Sequence, residues 1–226
     1  MARTVKEEEH RAKRNAILDE ARRLIEAKGY ERMAIQDILD ELGISKGAFY
    51  HYFDSKPDLL VALVERRGDE LERLVLPIFR DEELSALDKL LGYFATHDRF
   101  KRESKEFVLE LTRVWFADEN AIVRHKLLAL VRKRLAPRLS EIIGQGVEEG
   151  VFTTPYPDHA ARMVVSLLDD LGHATAEILL SSDERGALDA SEMVEVVEAT
   201  ADAVERVLGA EPGSLRETWR EALSHW

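Results

Sequence analysis

"AIQDILDELGISKGAFYHYFDSK", residues 34–56, places apolar side chains at Ile35, Ile38, Leu39 and Leu42, then a Gly43-Ile44 corner, then five consecutive rings from Phe49 to Phe53. The first spacing predicts a short helix stopped by Gly43, and Ser45 is placed to cap a second helix running through about Phe53. Glycine permits the sharp turn between them, and Ile44 is positioned to plug the angle, so the segment reads as a helix-turn-helix. On a wheel of 3.6 residues per turn Phe49 and Phe53 fall together and face inward. Gly47, Ala48, Tyr50 and His51 then face out. The two residues with almost no side chain let a helix approach a groove closely, while Tyr50 and His51 offer hydrogen bonds to phosphates or base edges. Lys46 in the first turn of that helix, Lys56 in the first turn of the next, and Gln36 at the front of the preceding one suit phosphate oxygens near free helix N–H groups.

Working outward, Ile17, Ala21, Leu24 and Ile25 form a helical stripe that stops at Gly29. Ser55-Lys56-Pro57-Asp58 has capping-box spacing and launches a longer helix expected to end near Leu76, before Pro77. Further helices are expected at about 84–100, 103–117, 120–148, 158–180 and 189–208, with a tail helix at about 213–225. No segment reads convincingly as a strand, so the expected class is all-α.

In combination, Gly29-Tyr30, Ile38, Leu42-Gly43-Ile44-Ser45, Tyr50, Phe53, Lys56 and Leu59-Leu60 resemble the DNA-binding domain of the tetracycline-repressor (TetR-like) family, over about residues 10–63. The resemblance implies that Gln36, Ser45, Lys46, Gly47, Ala48, Tyr50, His51 and Lys56 match positions that meet operator DNA, Tyr50 and Lys56 typically on phosphates. It also implies a helical ligand-binding and dimerisation domain over 64–226, and with the charge break after residue 57 the expected division is a DNA-binding domain, 1–57, and a ligand-binding and dimerisation domain, 58–226. Two departures stand out. Ala34 replaces the usual Ser or Thr, removing an N-cap, and Leu39 replaces a common alanine between the helices.

Charge agrees with two parts. Residues 1–57 carry eleven Lys/Arg and eleven Asp/Glu, so the whole formal charge of −12 lies in residues 58–226. There is no cysteine, which excludes disulfides and thiolate metal sites, and no apolar run reaches the roughly 18 residues of a membrane span. The expectation is a cytoplasmic protein without a membrane partner or cofactor.

In the acidic part, Met163, Val164, Leu167, Leu168 and Leu171 form one apolar seam, and Met193, Val194, Val196, Val197, Ala201, Val204 and Leu208 another. They would serve either a four-helix homodimer interface or the monomer core. Phe94, Phe107, Leu111, Trp115, Met163 and Leu167 are candidates to line an apolar effector cavity, with His125, Asp170 and His173 as polar members, although each aromatic taken singly reads more readily as simple core. "RHKLLALVRKRLAPR", 124–138, reads as the solvated face of a long helix. "GQGVEEG", 144–150, lacks the preceding strand of a dinucleotide fingerprint, and Gly150 reads as a helix stop. No nucleophile, metal-ligand or phosphate-loop pattern marks an enzyme.

The resemblance thus implies a ligand-responsive transcriptional regulator, a repressor in the first instance, that binds a pseudo-palindromic operator as a homodimer and is released by a small apolar effector. The competing reading is a helical lipid- or small-molecule-binding protein or enzyme whose N-terminal helices are only structural. A third is a co-regulator acting through protein contacts.

Overall fold

The computed structural model describes residues 2–116, 121–185, 190–216 and 219, without the side chains of 2–6, 115, 116, 122, 123, 182–185 and 190. Among the described residues it is helical throughout, with no strand. The helices are α1 Ala2–Lys28, α2 Ile35–Leu42, α3 Lys46–Tyr50, α4 Lys56–Arg80, α5 Ala86–Arg102, α6 Lys105–Phe116, α7 Ala121–Glu148, α8 Pro157–Arg185 and α9 Ala190–Leu208.

Two compact units emerge: residues 1–69 with 104–127, and 70–103 with 128–226. The expected boundary after residue 57 falls inside the first unit, because the opening turns of α4 and all of α6 pack with the N-terminal helices. Leu59, Leu60 and Leu63 of α4, with Phe107 and Val114 of α6, join the core formed by Ile17, Leu18, Ile25, Ile38, Phe49 and Phe53. Leu39 is buried in the same cluster, and Ile44 is half-buried against it, as a plug at the corner should be. The leucine that departs from the usual alanine therefore adds apolar contact to this core rather than disturbing it.

Capping follows the sequence closely. The Ser45 hydroxyl accepts the Ala48 N–H at 3.2 Å, and the Ser55 hydroxyl both accepts from Asp58 N at 3.1 Å and donates to its carboxylate at 2.8 Å. Gly43 closes α2 at φ +61°, with its N–H on the Leu39 carbonyl. Ala34 offers no side-chain cap. Asp37 supplies the other half of the device, accepting the Ala34 N–H at 2.7 Å.

Two helix ends differ from expectation. Helix α3 stops at Tyr50 rather than Phe53, yet the turn that follows stays wound because Tyr52 and Phe53 both donate to the Phe49 carbonyl, at 2.9 and 3.1 Å. Helix α4 continues through Pro77 to Arg80. Proline forfeits one N–H and crowds the preceding turn, but a single turn remains beyond it, and Phe79 there packs on Tyr93 with centroids 5.6 Å apart.

In the second unit α8 and α9 pack side by side. Val164, Val197, Ala201, Val204 and Leu208 are buried in that unit's core, and Leu167, Leu168 and Leu171 lie half-buried against it. Much of both apolar seams is thus consumed inside the chain. The buried Glu205 carboxylate accepts from Gly213 N (2.8 Å) and Leu215 N (2.9 Å), pinning the turn after α9. That turn seats Trp219 against Phe94, centroids 4.6 Å apart. Of the expected tail helix, Arg216 and Trp219 are helical, and 217–218 and 220–225 lie outside the described residues. Gly150 ends α7 at φ +77°. No described helix is long and apolar enough to cross a membrane.

Candidate nucleic-acid interface

Alternation within α3 sets up the site. Phe49 is fully buried, Phe53 nearly so, and their centroids lie 5.8 Å apart beneath the helix, whereas Tyr50 is 42% exposed. Gln36, Ser45, Lys46, Gly47 and His51 are exposed, and Ala48 and Lys56 are half-buried. Phe49 fills the core and Phe53, one turn on, lies on the same side, while residues 46, 47, 50 and 51 fall on other parts of the helical circumference. One outer face therefore gathers Lys46, Gly47, Tyr50 and His51.

Each polar member has defined surroundings. The Lys46 ammonium stands 5.9 Å from the centre of the Tyr50 ring, so cation and phenol share one patch. The Gln36 side-chain amide donates to Asp40 Oδ1 at 2.7 Å. Lys56 is less free than its sequence position implies. Its ammonium donates to the Glu31 carbonyl at 3.2 Å and lies 4.2 Å over the Tyr30 ring. Burial lowers its pKa, opposed by Glu31, and burial followed by the same glutamate pushes the Tyr30 phenol up to about 12. Lys56 is thus both a cation at the front of α4 and a tie between α4 and the turn after α1. No local pattern announces the second role, since Tyr30 lies 26 positions away.

Gly47 is informative for what surrounds it. Its φ is not in the left-handed range, and an added Cβ would meet only the Ser45 hydroxyl, at 3.9 Å. Nothing in the fold demands glycine there, although glycine costs up to about 1 kcal/mol against alanine in a helix.

The candidate effector residues are divided between the two units. Phe107 is buried in the first unit's core and Leu111 half-buried against it, while Phe94 and Leu167 border the second unit's core. Met163 is 55% exposed, and His125 and Asp170 face solvent. His173 turns to Asp169 rather than Asp170, with Nδ1 3.3 Å from the backbone oxygen and 3.9 Å from Oδ1. The Trp115 side chain lies outside the described residues.

Residues 17–63 match the family described as bacterial regulatory proteins, tetR family, and residues 97–186 match the tetracyclin repressor-like C-terminal domain. An HTH-type transcriptional regulator encoded in the lacX 3' region of Lactococcus lactis is 30% identical over 144 residues, spanning 60% of this chain and 72% of that protein. The HTH-type transcriptional regulator YfiR of Bacillus subtilis is 28% identical over 165 residues, 66% of this chain and 73% of that one. Among solved structures, a TetR-family regulator from Pectobacterium atrosepticum superposes with a TM-score of 0.64 at 20% identity, covering 88% of this chain and 96% of that one. RolR in complex with resorcinol gives 0.63 at 19%, covering 94% and 95%.

Proposed function

The chain belongs to the TetR family of bacterial transcriptional regulators, and from that premise we propose that it binds a pseudo-palindromic operator as a homodimer, represses there, and is released by a small, largely apolar effector in the cytoplasm. The observation that carries the DNA-binding part is the split of α3 and the turn after it into a buried Phe49/Phe53 side and an outer Lys46/Gly47/Tyr50/His51 side. Placed in a major groove, Gly47 and Ala48 permit close approach, Tyr50 and His51 reach base edges or phosphate, and Lys46, Gln36 and Lys56 anchor the backbone. In a dimer the two α3 helices would enter successive major grooves about 34–36 Å apart.

Release requires the effector to favour one spacing of the two heads, with coupling of roughly 1–3 kcal/mol. The apolar border formed by Phe94 and Leu167 in the second unit supports an effector with an apolar body. Exposure of Met163 on α8, beside the buried Val164, supports a subunit contact on that helix.

DNA binding is tested by fluorescence anisotropy on duplexes selected from a random pool, at about 50 and 200 mM salt. Wild type is expected to show steep salt dependence and a sequence preference, and Lys46→Ala/Tyr50→Ala to lose most of both while melting normally. Equal binding by that variant would remove α3 from the interface. Sedimentation velocity tests the dimer: wild type is expected to sediment as two chains and Met163→Arg to shift toward one.

A further inference from the structure

Among the described side chains of helix α1, which start at Glu7, the first in the core is Ile17. Those of residues 7–16 lie outside that core, in a strongly polar stretch. Two ring contacts one turn apart link this stretch to the residues that follow α3. The Arg14 guanidinium sits 5.2 Å from the centre of the Phe53 ring. The His10 ring lies 4.6 Å from Tyr52 and meets His51 edge-on at 5.5 Å and 78°. His51 in turn stands edge-on to Tyr52, at 5.1 Å and 79°. Three rings from two distant parts of the chain thus close a triangle, and the exposed ring of His51 is braced on two sides.

From this geometry we infer that His10 is a positioning residue of the DNA interface, fixing the orientation of His51 and so setting the base preference at the step His51 reads. The inference rests on the α3 reading above and adds a residue from outside the helix-turn-helix. An imidazole on an exposed helix end has free rotation about two side-chain bonds, and an unbraced ring would lose that freedom on binding. Edge-to-face contacts restrict it beforehand. His10 is itself exposed and lies outside the core, so its removal leaves the folded head intact.

The test uses the full chain as wild type, His10→Ala and His10→Phe, each put through selection from a random duplex pool, with affinities measured on the wild-type motif and on a scrambled duplex. His10→Ala is expected to melt like wild type, to bind the motif about three- to tenfold more weakly, the range commanded by losing one or two ring contacts, and to lose base preference at one step in each half-site. His10→Phe keeps a ring in place and is expected to restore the preference. In a His51→Ala background, His10→Ala should change nothing further at that step. An unchanged motif and affinity in His10→Ala, failure of rescue by His10→Phe, or an equal loss on the scrambled duplex would each overturn the inference while leaving DNA binding in place. A wild type that selects no motif would overturn the DNA-binding reading, and this inference with it.

Discussion

At position 47 a glycine occupies an early turn of a helix with ordinary backbone angles and open space around it, whereas Gly146 sits where an added Cβ would collide with the ring of Phe152. The two glycines should therefore respond oppositely to alanine. Gly47→Ala is expected to leave chemical denaturation unchanged, or to raise stability by up to about 1 kcal/mol, while weakening binding to selected duplexes through a methyl group pushed toward the groove. Gly146→Ala is expected to cost about 1–3 kcal/mol, because the Phe152 ring is 2% exposed and has nowhere to go. Gly144→Ala, one helical position-pair earlier and with nothing within 4 Å, is its control and should cost nothing. Phe49→Ala belongs with the core changes, at about 3–5 kcal/mol, against a negligible effect of Tyr50→Ala on folding. All five stabilities are read from urea midpoints by circular dichroism.

Single elements depend on short-range electrostatics at their ends. The start of α2 lacks a side-chain cap at Ala34 and relies on Asp37, whose carboxylate pairs with the Lys28 ammonium at 2.5 Å and accepts the Ala34 N–H at 2.7 Å. The lysine first, then the backbone N–H, hold this carboxyl below its usual range. A carboxyl with a lowered folded pKa favours folding above its unfolded value, about 3.9, and that contribution fades as pH falls through the folded value. The urea midpoint of Asp37→Asn should accordingly lie below wild type at pH 6, with the gap narrowing as pH falls below the unfolded value. A gap that stays constant from pH 6 to about pH 2 would show that the carboxylate does not stabilise α2 through its charge. The same end of the helix shows why the missing Ser or Thr is tolerated: the orphan N–H of residue 34 is satisfied from inside the first turn.

Across the whole molecule, acid should act on the two compact units in different pH ranges. In the second unit the His97 ring stacks on Tyr93 at 5.9 Å and 29°. Burial, and secondarily the Lys101 ammonium, push its pKa down to about 3. Burial likewise raises the Tyr93 phenol. A histidine that stays neutral when folded but protonates when unfolded stabilises the fold above about pH 6.5 and loses that contribution progressively toward pH 3. Hydrogen exchange with mass spectrometry at pH-corrected times should therefore show α5 losing protection between pH 6.5 and 4, before α2 does. His97→Phe should flatten that loss. Retention of protection in α5 down to pH 4 would mean that His97 reaches solvent freely.

Local sequence determined the parts of this protein governed by neighbours within a turn or two: the Gly43 corner, the Ser45 and Ser55 caps, the inward pair Phe49 and Phe53, and the outward Tyr50 and His51. Those signals survive because hydrogen bonds and helical periodicity act over three or four residues. Tertiary structure alone decided that Phe107 belongs to the head's core, that Lys56 anchors on Tyr30, that the Val197-to-Leu208 seam faces inward, and that His10 touches His51. These are meetings of side chains tens of residues apart, chosen by which apolar faces can be buried together once every helix exists, and no spacing along the chain encodes the partner.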